Sequence, residues 1–171
     1  MKKALAGTLA LAAAVFMAAP ALGATATSNV AVSATVINNC TITTTPVAFG
    51  NYDPLSASPN NNSGTVVITC TKNAATTVTL ADGNNFNVTR RMISGANFMN
   101  YELYQPPSTV PGAACSYAAP VRWGLVGAQI FTPGAAPSKA SRTYNVCGQI
   151  PAGQDLGAAT FSDSVVATVN F

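Results

Sequence analysis

The feature that most constrains this chain is a period of two. Apolar side chains fall on alternate positions in short runs, and the runs are separated by stretches rich in Pro, Gly, Ser and Asn. Such spacing puts every second residue on one face of a β-strand and cannot supply the apolar stripe of a helix. The run GTVVITCT (64–71) turns Val66, Ile68 and Cys70 to one side. In TTVTLADGNN (76–85), Val78 and Leu80 turn inward before turn chemistry at Asp82-Gly83. Runs 86–94 and 98–104 flank Gly95-Ala96-Asn97 as a further pair, the second with Met99, Tyr101 and Leu103 on a common face. RTYNVCGQI (142–150) and FSDSVVATVNF (161–171) complete the set, and the last aligns Val165, Ala167, Val169 and Phe171. DPLSASPNNNSG (53–64), QPPSTVPGAAC (105–115) and TPGAAPSKAS (132–141) read as loops. Short strands at this spacing predict an all-β domain, a sandwich before a barrel.

One run stands apart. TATSNVAVSATV (25–36) alternates from Ser28 onward, with Val30, Val32, Ala34 and Val36 on one side and Asn29, Ala31, Ser33 and Thr35 on the other. It meets no turn residue before Asn38-Asn39, so it does not fold back on itself. Alternation alone favours the first strand of the chain's own sandwich.

Ahead of this run lies a secretory leader. Lys2 and Lys3 precede an apolar stretch (4–19), Pro20 breaks it, and small residues follow at 21–24. Residues 1–24 are therefore expected to be a signal peptide. The apolar stretch is shorter than the roughly 20 residues a membrane helix needs, so no membrane insertion is expected after cleavage. About 147 residues remain, the size of one domain. Without Lys2 and Lys3, six of the eight Lys and Arg residues face five Asp and Glu, a net charge near +1. No basic patch points to nucleic acid. Charged residues are only 8% of the chain, against the usual quarter or so, which removes one common guard against edge-to-edge association of sheets.

All four cysteines, Cys40, Cys70, Cys115 and Cys147, lie beyond the leader. An even count in a secreted chain reads as two disulfides, with three connectivities open. The sequential pairing, Cys40–Cys70 and Cys115–Cys147, is the one expected. Each link closes a loop of about 30 residues, worth about 3–4 kcal/mol in the loop-entropy treatment. A four-cysteine zinc site would want a C-x-x-C pair, and the chain has none.

Catalytic chemistry is poorly supplied. The chain has no histidine, which removes the usual general base, metal ligand and Ser-His-Asp triad together. Paired cysteines are not thiolate nucleophiles. Of the five acidic residues, Asp53 and Asp82 sit in turn contexts, so a two-carboxylate glycosidase has little to work with. DGNN (82–85) lacks the acidic pattern of a calcium loop. No enzyme activity and no cofactor are expected. Of Arg90 and Arg91, one is expected to face solvent and the other to cover a sheet edge. Trp123 with Tyr101, Tyr104 and Tyr117 could form a sugar-binding platform, although a core Trp among sheet aromatics is the simpler reading.

ATATSNVAVSATVINNCTI, VAFGNYDPL, GTVVITCT, RRM with YELY, RWG, CGQIPAGQ and FSDSVVATVNF occur in this order and span the chain beyond the leader. In that ordered set the chain resembles the spore coat U domain proteins, the subunit family of Csu-like archaic chaperone–usher pili. Two departures are Cys147, where the family often has an aromatic residue, and the displaced Gly157 before the last strand. The resemblance implies an incomplete immunoglobulin-like β-sandwich completed by donor-strand complementation. A periplasmic chaperone would fill the open groove first. At the outer-membrane usher, the N-terminal strand of the next subunit would replace it. Carried onto this sequence, residues 25–37 become the donor strand, with Val30, Val32, Ala34 and Val36 as its plugs, and 38–171 the sandwich. Cys40-Thr41-Ile42 would then begin the subunit's own first strand, pinned by Cys40–Cys70, and no strand after Phe171 would cover the groove. The implied product is an extracellular fimbria of copies or sister subunits, reached through the periplasm and serving adhesion and biofilm formation. The alternative of another class is a secreted monomeric carbohydrate-binding sandwich using Trp123.

Overall fold

Cys40, the first residue tethered by a disulfide, opens the first strand. The computed structural model describes residues 23–171, so nearly all of the expected signal peptide lies outside the described residues. Seven strands follow in chain order: β1 (Cys40–Thr45), β2 (Asn60–Cys70), β3 (Thr77–Leu80), β4 (Arg90–Ser94), β5 (Asn97–Tyr104), β6 (Arg142–Ile150) and β7 (Ala167–Asn170). Among the described residues the one helical element is a 3-10 turn at Gly127–Gln129. Five strands form one antiparallel sheet in the order β1-β2-β6-β5-β4, and β3 pairs with β7 in a second.

The period-two side chains meet between these sheets. Val66 and Ile68 of β2, Met99, Tyr101 and Leu103 of β5, and Tyr144, Val146 and Ile150 of β6 pack against Val78 and Leu80 of β3, with Trp123 and Phe131 from the connecting loops. The result is an all-β, immunoglobulin-like sandwich. Gly95-Ala96 forms the two-residue turn of the β4–β5 hairpin, where Ser94 faces Asn97 and Gly95 takes a φ of +56°. Both disulfides follow the sequential pairing. Cys40 lies directly opposite Cys70 in the β1–β2 register, and Cys115 anchors the Pro-rich loop to Cys147 of β6.

Three sequence expectations change. β2 begins at Asn60, inside a segment whose composition reads as loop; Asn60 to Gly64 pair with Ile150 to Val146. The asparagine side chains explain this. Asn60 Nδ2 donates to the main-chain oxygens of Phe49 and Asn51, at 3.1 and 3.0 Å, and Asn62 donates to that of Ala48. The run thus carries the segment after β1 as well as its own strand. The last strand is shorter than the alternation suggests: only Ala167–Asn170 is strand, and Phe171 is exposed.

The arginine pair is the third. Arg90 does not cover an edge; it is fully buried. Its guanidinium donates to the main-chain oxygens of Leu80, Ala81 and Trp123 and pairs with Glu102. A buried cation is tolerated here because its donors meet fixed acceptors. Arg91 is half-buried, its guanidinium 4.1 Å from the Phe98 ring centroid.

Residues 23–35 form a separate unit that contains no strand, and its side chains are exposed.

Candidate functional site

The second sheet stops one strand short. β7 pairs with β3 on one edge, and among the described residues no strand pairs with the other edge. The hydrogen bonds show which groups are left. Ala81 N–H donates to Val166 O at 2.9 Å, and Ser162 and Ile93 exchange bonds of 3.2 and 2.9 Å. Even-numbered residues therefore turn their main-chain groups toward β3 and β4. The odd-numbered residues between them turn theirs to the open side. β1 is likewise paired on one edge, with β2 alone.

Between these two free edges runs a groove. Residues 44–49, leaving β1, form one wall, and 163–167, entering β7, form the other. Core residues Val66, Leu80, Tyr101, Leu103 and Val146, with the partly buried Met92, form the floor of a hollow of about 260 Å³. A second hollow of about 600 Å³, between residues 47–54 and 156–161, shares Val47, Phe49 and Met92 with it. The side chains packed here are only partly buried: Val47, Phe49, Met92, Leu156, Phe161, Val165 and Ala167 touch the core without closing it. Gly148 makes room for one wall. A Cβ there would lie 2.5 Å from Val47 Cγ1 and 2.7 Å from Phe49 Cζ.

One hydrogen-bonded polar pair, Asp163 and Tyr101, lies in the groove, which Thr44, Thr45, Thr65 and Ser164 also line. Asp163 accepts 2.7 Å from the Tyr101 hydroxyl and 3.0 Å from the Asn84 N–H. The absent side chain of Gly83 admits the carboxylate, since a Cβ there would lie 2.2 Å from Asp163 Oδ2. Burial, and then the bond to Asp163, pushes the Tyr101 hydroxyl far above the ordinary tyrosine range.

The four residues expected as plugs all carry exposed side chains. Val30 is 85% exposed, Val32 91% and Val36 83%, and Ala34 is exposed as well. Immediately after Val36 the chain is clamped. Thr71 Oγ1 accepts from Asn39 N–H at 3.0 Å and donates to Ile37 O at 3.2 Å. The turn read at Asn38-Asn39 is thus held to the end of β2.

The sugar platform is not formed. Trp123 is fully buried and donates from Nε1 to Val78 O at 2.9 Å. Tyr101 lies in the groove floor beneath Asp163. Asp82, in the DGNN turn, is bound by Arg122 at 2.6 Å. Sequence reasoning missed Asp163, Thr71 and Gly148. Asp163 carried a signal, because it falls in phase with Phe161, Val165 and Ala167; Thr71 and Gly148 act through contacts distant in sequence.

The family model described as Spore Coat Protein U domain matches residues 26–168. Comparison with curated proteins finds no match. Among solved structures, the chain is similar to a chain of the CsuC–CsuE chaperone–tip adhesion subunit pre-assembly complex from the archaic chaperone–usher Csu pili of Acinetobacter baumannii, with a TM-score of 0.55 and 25% identity. The similarity covers 80% of this chain and 41% of that one, so this chain spans well under half of that neighbour's length.

Proposed function

The chain belongs to the Spore Coat Protein U domain family, a family of structural proteins and not of enzymes, and from that premise we propose that it is a subunit of a chaperone–usher type pilus or surface fibre. In this reading residues 25–37 are the donor strand and 38–171 the acceptor sandwich. Two observations carry it: the groove beside β7 is open, and the chain also has an exposed arm whose alternate residues are valine and alanine. A strand edge with free main-chain groups above apolar side chains is costly to leave bare. Val30, Val32, Ala34 and Val36 of a second copy would fill the groove, and each buried valine is worth about 1.5–3 kcal/mol before ordering costs. A ladder of main-chain hydrogen bonds to residues 163–169 adds to this. The joint persists without a covalent bond between subunits.

Until that strand arrives the groove needs another occupant. The partners are a periplasmic chaperone, an outer-membrane usher, and copies of this chain or sister subunits. The solved neighbour, a chaperone–subunit pre-assembly complex, supports the first of these. The fibre is extracellular, reached through the periplasm after removal of the leader, and serves attachment and biofilm formation.

The test is assembly by the chain lacking residues 1–24. Made without a chaperone, it should give heat-resistant ladders on a denaturing gel, and Val32→Asp should abolish them while both disulfides still form. Unchanged ladders in Val32→Asp would remove Val32 as a plug. A stable monomer from the unsubstituted chain would remove the fibre reading.

A further inference from the structure

We propose that Asp163, held by Tyr101, sets the register in which the arm of a second copy enters the groove, with Ala34 placed over Asp163. This rests on the donor-strand reading and goes beyond it by naming which residue meets which. The wall beside the groove has a strict period of two. Phe161, Asp163, Val165 and Ala167 are half-buried, while Ser162, Ser164 and Val166 are exposed. Asp163 is the one polar member of that series. The arm has the same period, and Ala34 is the one small member among three valines. Aligning the two exceptions on antiparallel strands puts Val36 opposite Phe161, Val32 opposite Val165 and Val30 opposite Ala167. All four plugs then fall on half-buried wall positions.

The other alignments do worse. A parallel arm with Ala34 at Asp163 would carry Val30 to Ala159, where residues 157–160 are all exposed and the alternation has ended. A slip of two residues keeps the same face inward but presses a valine onto the carboxylate. Asp163 is poorly placed to move aside, because Tyr101 and Asn84 hold both of its oxygens. It acts as a positioning residue. A polar group inside an apolar seam is a known means of fixing register between packed helices.

The main chain allows a direct test. Odd-numbered wall residues present their N–H and C=O groups to the open side, so Val32 and Val165 would form a hydrogen-bonded antiparallel pair with Cα atoms about 5.5 Å apart, within disulfide reach. Chains lacking residues 1–24 are made in two forms, one carrying Val32→Cys and the other carrying Val165→Cys, Ala167→Cys or Phe161→Cys. The two forms are assembled together under oxidising conditions, and cross-linked dimers are counted on a non-reducing gel. The proposal expects Val32→Cys to join Val165→Cys at least tenfold more than either other position. It also expects Ala34→Val in the arm to cut that preference below threefold. Asp163→Ala in the acceptor should relax the preference in the same way; the arm variant, which leaves the sandwich untouched, gives the answer if Asp163→Ala fails to fold.

Equal cross-linking at Ala167→Cys or Phe161→Cys, with ladders intact, overturns the register and leaves the fibre reading standing. A preference for Val165→Cys that survives Ala34→Val unchanged overturns the role given to Asp163. Absence of ladders in the unsubstituted chain overturns both.

Discussion

Arg90 donates from Nη2 to the main-chain oxygen of Trp123 at 2.8 Å, so a fully buried cation holds the one tryptophan of the chain in place. The same guanidinium reaches Leu80 O and Ala81 O at the end of β3 and pairs with Glu102 of β5. It therefore ties the two sheets together where β3 ends. Replacing Arg90 by Met strips Glu102 of one partner and leaves three carbonyls, two of them buried, without this donor. The expected loss is about 3–5 kcal/mol, read from the urea midpoint with both disulfides intact. Arg122, which also binds Glu102 but is partly exposed, should cost less when changed to Met.

Thr71 holds the segment that precedes β1. Its hydroxyl accepts from Asn39 N–H and donates to Ile37 O. Thr71→Val keeps shape and removes both bonds. Amide exchange at Asn39 should accelerate by about 2- to 10-fold, as expected for one ordinary hydrogen bond. Exchange in the centre of β6 should not change.

Two glycines make opposite predictions. A Cβ on Gly64 would lie 2.5 Å from Thr45 O and 2.8 Å from Pro46 C, both main-chain atoms that cannot turn aside. The atoms nearest a Cβ on Gly148 would be side-chain atoms of Val47 and Phe49. Gly64→Ala should therefore lower the unfolding midpoint of the sandwich substantially. Gly148→Ala should lower it less but slow ladder formation, because Val47 and Phe49 are groove wall.

Alkaline pH should act through Tyr101. Burial and the bond to Asp163 raise its hydroxyl far above the ordinary value near 10. Below about pH 10 both folded and unfolded chains keep the proton, and this group adds no pH dependence. Above that, the unfolded chain releases the proton and the folded chain does not, so stability falls as pH rises toward the folded value. Tyr104, Tyr117 and Tyr144 shift in the same direction through burial. Urea midpoints between pH 8 and 12 should be level at first and then decline, and Tyr101→Phe should remove a large part of the decline.

Much of this fold was legible because a period of two is written residue by residue. The alternation places Val66, Ile68 and Cys70 on one side of their run, turns Val78 and Leu80 inward, and gives Met99, Tyr101 and Leu103 a common face; all eight are buried. The 142–150 run coincides with β6. What escaped depends on partners far along the chain. Asn60 and Asn62 have the composition of a loop, and only the main chain at 48–51 makes them part of a strand. Arg90 reads as a surface residue until Leu80 O, Ala81 O and Trp123 O converge on it. The groove was expected through the family resemblance; no local pattern marks the edge of β7 as bare. Asp163 is the instructive case, since its phase with Val165 and Ala167 was visible but its hydrogen bonds to Tyr101 and Asn84 were not.

The central claim is that the arm of one copy completes the sandwich of another. It is tested most directly by unfolding heavy-isotope and ordinary chains lacking residues 1–24 together, refolding the mixture, and identifying cross-links between residues 28–36 and the groove walls by mass spectrometry. Donation between copies predicts that about half of the arm–groove cross-links join a heavy chain to a light one. Cross-links confined to heavy–heavy and light–light pairs, with the arm seated in its own sandwich, would contradict it.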